Sequence, residues 1–266
     1  MAQGGAGPAG DSADAARQDL ELLRLRLERE LLRVLSALDT ERGTPQLISD
    51  RDAARTAAEV YRQVERALQE QGVATIRSIV TQRALEALDA VAPGEAWPPD
   101  VRRELDAIVR GQVADVVKVF DVAADEVRRA VNAGVTTGGN LGDLVADVAD
   151  RLGVAFFRAT AAVDSAIMAV GRRAVVSAAE AQAKEAGVDV VYAYVGPTDA
   201  KNRPFCAIWM GRADGVRKAV TREYMARLDN GQGLAVEDYC GGYNCRHSWA
   251  PLPRERAVAR GFVVYE

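Results

Sequence analysis

The hydrophobic period of this chain changes once, and that change restricts its fold more than any other feature. Apolar residues recur every three or four positions from Leu20 to Ala186, the spacing that lines one face of a helix. At Val188 the spacing drops to two. Val188, Val190, Tyr192 and Tyr194 alternate with Asp189, Val191 and Ala193, and β-branched and aromatic residues in that order predict a strand. The expected fold is mainly α. An elongated helical platform over residues 16–187 carries a small, loop-rich α+β module over 188–266. A chain of 266 residues is at the upper end of what one core serves, which agrees with two parts.

Within the platform, Leu20, Leu23, Leu27, Leu31, Leu35 and Leu38 form the first stripe. Leu22, Leu25 and Leu32 widen it, so this helix needs more than one neighbour, in its own chain or in a bundle with other copies. Glu41 to Pro45 is expected to end it. A second helix capped by Ser49 or Asp50 carries Val60, Val64 and Leu68, with Gly72 as a stop or kink. Ile76 to Val91 continue the spacing to a break at Pro93-Gly94. Trp97 to Asp100 restart the chain into a long helix from Val101 to Gly134. A loop over Thr136 to Asn140 leads into Leu141 to Ala186, one kinked helix or two, closed by Gly187. Beyond it, Thr221 to Leu228 reads as a short helix, and Arg246 to Ala250 and Phe262 to Tyr265 as strands. Gly138 to Gly142 has no strand before it and no Gly-Lys-Ser/Thr ending, which removes a phosphate loop. Residues 1–15 hold too few apolar side chains to offset their ordering entropy and read as a disordered tail without a secretory pattern. No apolar run approaches the roughly 20 residues that span a bilayer, so no membrane partner is expected.

The chemistry-bearing residues gather in the last third. Cys206, Cys240 and Cys245, the only histidine (His247), Trp209 and Trp249 all lie there. They sit in or near two runs, Gly196 to Cys206 (GPTDAKNRPFC) and Tyr239 to Trp249 (YCGGYNCRHSW). From Tyr192 onward eleven Lys/Arg face eight Asp/Glu, a mild basic excess on an otherwise acidic chain. That permits contact with DNA or an acidic partner but is not the basic stripe of a nucleic-acid binder.

Three readings of these residues stand side by side. Cys206, Cys240, Cys245 and His247 make a sensible donor set for one structural zinc, which would staple a module with little core. Cys245 and His247, two apart on a strand, would share a face. Alternatively, Cys206 or Cys245 is a nucleophile activated by His247 and oriented by Asp199, with Cys206 the better placed because strand neighbours stand too far apart. In the third reading the cluster is structural. Asp199, Arg203 and Arg246 pair carboxylate with guanidinium, Gly196, Pro197, Gly241 and Gly242 set turns, and Phe205, Trp209, Tyr243 and Trp249 fill a small core.

The two runs resemble the C-terminal signature of the phage minor head (head morphogenesis) family of Mu-like and other tailed phages. The resemblance is carried by Gly196, Pro197, Asp199, Arg203, Phe205, Cys206, Gly241, Gly242, Tyr243, Asn244, Cys245, Arg246, His247 and Trp249, with an Ala-rich helical region before them. It implies a non-enzymatic minor capsid protein, multimeric in the virion, at the head or portal vertex after assembly in the host cytoplasm. Its partners would be portal protein, major capsid protein and packaged DNA, and its work head assembly and genome packaging or delivery. Other branches of the family carry a denser Cys/His set that looks like a zinc module. The competing class is a Cys/His-dependent enzyme, a hydrolase or nuclease-like toxin module on a helical carrier.

Overall fold

The computed structural model describes residues 8–40, 51–91, 97–137 and 141–266. The expected helix ends at Glu41 to Pro45, Ser49 or Asp50 and Pro93-Gly94, and the Gly138 to Asn140 part of the loop, lie outside these. Five helical stretches come first: α1 (Pro8–Thr40), α2 (Arg51–Arg66), α3 (Ala74–Val91), α4 (Pro99–Thr137) and α5 (Leu141–Ala186). The chain is mainly α, with long helices in the N-terminal part and a four-stranded mixed sheet near the C-terminus, as the change of period predicts.

Two boundaries differ from expectation. Helix α1 already runs from Pro8, inside the stretch read as a tail. Proline costs little in a first turn, where its missing N–H has no partner to lose, and the alanines that follow have the highest helix propensity. Gly72 does not stop the second helix. A π-helical segment, Ala67–Val73, joins α2 to α3 without a break. The absent side chain serves packing there, since a Cβ at Gly72 would stand 2.8 Å from Cε1 of Phe120.

Compactness divides the chain elsewhere than at Gly187. One unit holds Asp14–Gln82 and Val113–Val163, and the other holds Met1–Ala13, Arg83–Gln112 and Asp164–Glu266. The C-terminal module is thus part of a larger unit that includes the second half of α5. The all-helical unit buries Leu20, Leu27, Leu31, Leu68, Ile76 and Phe120 completely. Phe120 packs edge-on against Phe156 at 5.4 Å. Nearby, Arg128 is gripped by Glu65 (2.6 Å), Asp121 (3.0 Å) and Asp125 (2.5 Å).

Among the described residues one helix, α5, is long enough and over an 18-residue window apolar enough by composition to cross a membrane. That corrects the expectation that no run approaches such a length. Half of the window is buried inside the protein.

The module follows through β1 (Val190–Val195), α6 (Pro204–Trp209), β2 (Lys218–Val220), α7 (Arg222–Met225), α8 (Val236–Tyr239), β3 (Ser248–Pro253), α9 (Arg254–Ala259) and β4 (Val263–Tyr265). Helix α5 ends where Gly187 takes a positive φ of 64° and the Val188 N–H donates to the Ala183 carbonyl at 2.9 Å. Sheet order is β3-β1-β2-β4, antiparallel except for the parallel β2/β4 pair. Strand β1 is paired on both edges, and both of its faces are covered as well. Tyr192, Tyr194, Val220 and Trp249 pack with Val176 of α5, while Val191 and Ala219 pack with Ala257 of α9. β2 escapes a reading by alternation because three residues are too few to show a period.

Replacing Phe120 with alanine should cost about 3–5 kcal/mol, the loss of a fully buried aromatic plus its cavity. Urea unfolding followed by far-UV circular dichroism measures this. A loss below about 1 kcal/mol would mean that the ring does not anchor the helical unit.

Candidate functional site

The two sequence runs are the two sides of one joint in the C-terminal unit. From the first run, Arg203 donates to the carbonyls of Gly241 (3.0 Å) and Tyr243 (2.6 Å) in the second. Asp199 accepts both guanidinium nitrogens of Arg246 at 2.7 Å. The Pro197 carbonyl lies 3.0 Å from Nε2 of His247, and Sγ of Cys206 lies 3.8 Å from Sγ of Cys245. Four residues of the first run therefore hold five of the second.

Residues 240–247 form an irregular loop whose carbonyls have no ladder or helix to bond them; Gly242 accepts from the Cys245 N–H, and side chains bond several of the others. The Cys240 carbonyl accepts from Asn230 Nδ2 at 3.0 Å. Arg172 of α5, almost fully buried, donates to the carbonyls of Asp238 (2.9 Å) and Cys245. Asn244 sits at φ +55° and is fixed by Ser165, which donates to its Oδ1 at 3.2 Å and accepts from its N–H at 3.1 Å. Beside the loop, Arg173 holds Asp238 at 2.8 Å and Glu104 at 2.8 Å, while Arg222 holds Glu104 and Glu237, each at 2.8 Å.

Bare backbone is required at two points of the joint. A Cβ on Gly241 would collide with Cys206 Sγ, and one on Gly196, at φ +156°, with the His247 ring. Gly242 likewise packs its backbone against the Gln232 amide. Aromatic rings surround the thiols. Tyr194 stacks on His247 (5.1 Å, 8° between planes) and meets Phe205 and Trp249 edge-on at 5.8 and 4.7 Å. The Trp249 indole donates to the Val236 carbonyl at 3.2 Å, and Trp209 packs against Phe205 and Trp249.

Four expectations change. Arg203 pairs with carbonyls rather than a carboxylate. Tyr243 is about half exposed and only touches the Tyr239 ring edge-on, so it does not fill the core. Cys245 and His247 precede β3, which starts at Ser248, and outside a strand their side chains approach to 3.5 Å (Sγ to Nδ1). Cys240 is buried, but the converging donors are Cys206, Cys245 and His247, whose ligand atoms all lie within 4.8 Å of one another.

A carbonyl only accepts, so His247 Nε2 carries the proton toward Pro197. Burial opposes ionisation of the Cys245 thiol, yet bonds from His247, Tyr194 and the Gly241 N–H bring it down to about 6. Burial raises Cys206 and pushes Cys240 up to about 12. It also raises the Tyr194 phenol, whose oxygen lies 3.5 Å from both Cys206 and Cys245 Sγ. This cluster can hold a metal, or one thiolate, but it is sealed: Cys206, Cys245 and His247 are 2, 6 and 2 % exposed. A groove of about 690 Å³ in the same unit is lined by Glu104, Glu180, Lys184, Arg222 and Arg254 and includes none of the three.

Sequence reasoning passed over Ser165, Arg172, Arg173 and Tyr194. The available signal was an arginine pair in the middle of an Ala/Val-rich helix, where a charge needs a buried partner.

Replacing Arg172 with methionine leaves two buried carbonyls unpaired and should cost about 2–4 kcal/mol in chemical denaturation. A loss under about 0.5 kcal/mol would show that the loop holds itself. Arg246 beside Asp199 lowers that carboxyl to about 2. The pair's contribution is therefore complete above the ordinary carboxylate range and is lost as pH falls through about 2. Carboxyl ¹³C titration should place the Asp199 midpoint near that value, and Arg246→Gln should return it to the ordinary range. An unchanged midpoint in that variant would refute the assignment.

No protein of curated function and no solved structure gives a match. The family model for phage minor capsid protein 2 matches residues 63–255, from the last turn of α2 to the start of α9, and takes in both sides of the joint. That is well over half of the sequence, and the chain belongs to the phage minor capsid protein 2 family.

Proposed function

We propose that this chain is a structural minor head protein that binds portal or major capsid protein and assists head assembly and genome packaging or delivery. One observation carries the reading beyond family membership: the reactive-looking side chains of the two runs are used to fasten the runs together, the thiols and the imidazole inside and the Asp199–Arg246 pair at the surface. His247, Cys206, Cys245, Asp199, Arg203 and Arg246 each bond across the joint or to its loop. Such a module offers a rigid surface to a partner, and the helices before it offer more.

The enzyme reading has one observation of its own, the lowered Cys245 thiol beside His247. Against it stands burial. A nucleophile must meet its substrate, and these atoms are covered by Tyr194, Gly241 and the Gly196 turn.

Quantitative mass spectrometry of purified heads, with cross-linking, tests the proposal. The expected result is a few copies per head, cross-linked to portal or major capsid protein. Absence from heads would overturn it. So would a turnover that Cys206→Ser or Cys245→Ser abolishes while the fold stays intact.

A further inference from the structure

We propose that the joint is a closed zinc site whose four ligands are Cys206 Sγ, Cys245 Sγ, His247 Nδ1 and the phenolic oxygen of Tyr194. The site rests on the geometry of the joint alone and stands or falls separately from the virion role.

The spacing of the donors is the first argument. Zinc bonds of about 2.3 Å to sulfur and 2.0–2.1 Å to nitrogen, set tetrahedrally, give edges of about 3.8 Å between sulfurs and 3.5 Å from sulfur to nitrogen. The two thiols stand 3.8 Å apart, and Cys245 Sγ stands 3.5 Å from His247 Nδ1. An oxygen ligand bound at about 2.0–2.2 Å would lie about 3.5–3.6 Å from each sulfur. The Tyr194 oxygen lies 3.5 Å from both. Four of the six donor pairs thus stand at the edge lengths of a coordination tetrahedron, and Cys206 Sγ lies within 4.8 Å of His247 Nδ1 or Nε2.

The surroundings provide the second argument. A metal-binding histidine fixes its ligand nitrogen by donating its other N–H, commonly to a backbone carbonyl. Here Nε2 faces the Pro197 carbonyl at 3.0 Å. A sulfur ligand is steadied by backbone N–H groups, and Gly241 N–H approaches Cys245 Sγ at 3.3 Å. Gly241 also has no Cβ, which would strike Cys206 Sγ and reach 3.4 Å from Cys245 Sγ. Two sulfurs and a nitrogen favour zinc over magnesium or calcium, and four protein ligands make a structural site with no open position.

Binding leaves two thiolates, a phenolate and a neutral imidazole around the ion, and whatever protons the two sulfurs and the phenol still carry go to solvent. Cys240 takes no part. Its thiol lies outside the converging group, although the count of cysteines alone would include it.

The test uses the full chain, purified under reducing conditions, loaded with zinc or cobalt and gel-filtered. Expected are one zinc per chain by native mass spectrometry, thiolate-to-cobalt charge-transfer bands of a tetrahedral site, and a tyrosinate band in the zinc difference spectrum. Cys245→Ser should weaken binding at least about 100-fold. Should that variant fail to fold, two gentler ones decide the matter. Tyr194→Phe keeps the ring and should lose the tyrosinate band with about tenfold of affinity, and Cys240→Ala should bind within about twofold of the original chain. A chain without stoichiometric metal would overturn the proposal, as would a Cys206–Cys245 disulfide in a non-reducing digest. A Tyr194→Phe variant with unchanged affinity and spectrum, or loss of binding in Cys240→Ala, would overturn the ligand assignment.

Discussion

An irregular loop that belongs to neither helix nor sheet still has to bond its buried carbonyls, and the C-terminal unit is arranged around that requirement. Cys240, Gly241, Tyr243 and Cys245 of the loop, and Asp238 in α8 just before it, offer carbonyls to side chains from elsewhere. Two arginines do most of this, Arg172 from α5 and Arg203 from the turn before α6. A guanidinium suits the task because its fork of donors can hold two carbonyls at once and it keeps its charge. Once the loop is held, Cys245, His247 and Trp249 have one place to go. The small core around Tyr194 follows from this, since a four-stranded sheet with strands of three to six residues has little area with which to impose order.

The all-helical unit solves a different problem with ordinary means. Its apolar stripes are long enough to bury a continuous core, and its main local device is the π segment at Ala67–Val73. That wide turn keeps one helix running while Gly72 lets the Phe120 ring press against backbone. Charges are mostly placed on exposed faces at helical spacing, where each pair is worth little. Arg128 is the exception, being largely buried with three carboxylates around it.

Much of this was legible in the sequence because period is a local property. The stripes from Leu20 to Ala186 and the alternation at Val190 to Tyr194 each report their element without knowledge of any partner. At Gly72 the stop is excluded but not the kink, because glycine ends helices and also admits close neighbours, and only the position of Phe120 shows the close approach. The start of β3 was placed two residues early because Cys245 and His247 alternate like strand residues while their backbone is already loop. Composition alone pointed to the joint, since the thiols and the imidazole cluster in sequence. It did not say which donors meet. Tyr194 was legible as a strand residue and nothing more, and Arg172 was lost in a helix whose partners lie 66 and 73 residues downstream.

Those separations have a consequence for the order of events as the chain folds. Helices α1 to α5 close contacts three and four residues apart and can form within microseconds. The loop's holders must wait for partners such as Ser165 and Asn244, 79 residues apart, or Gln112 and Tyr239, 127 apart. Long loops are entropically slow to close, so the joint is the late step. A newly made chain would show its helical content well before its C-terminal surface exists, which delays recognition by any partner of that surface until the chain is complete.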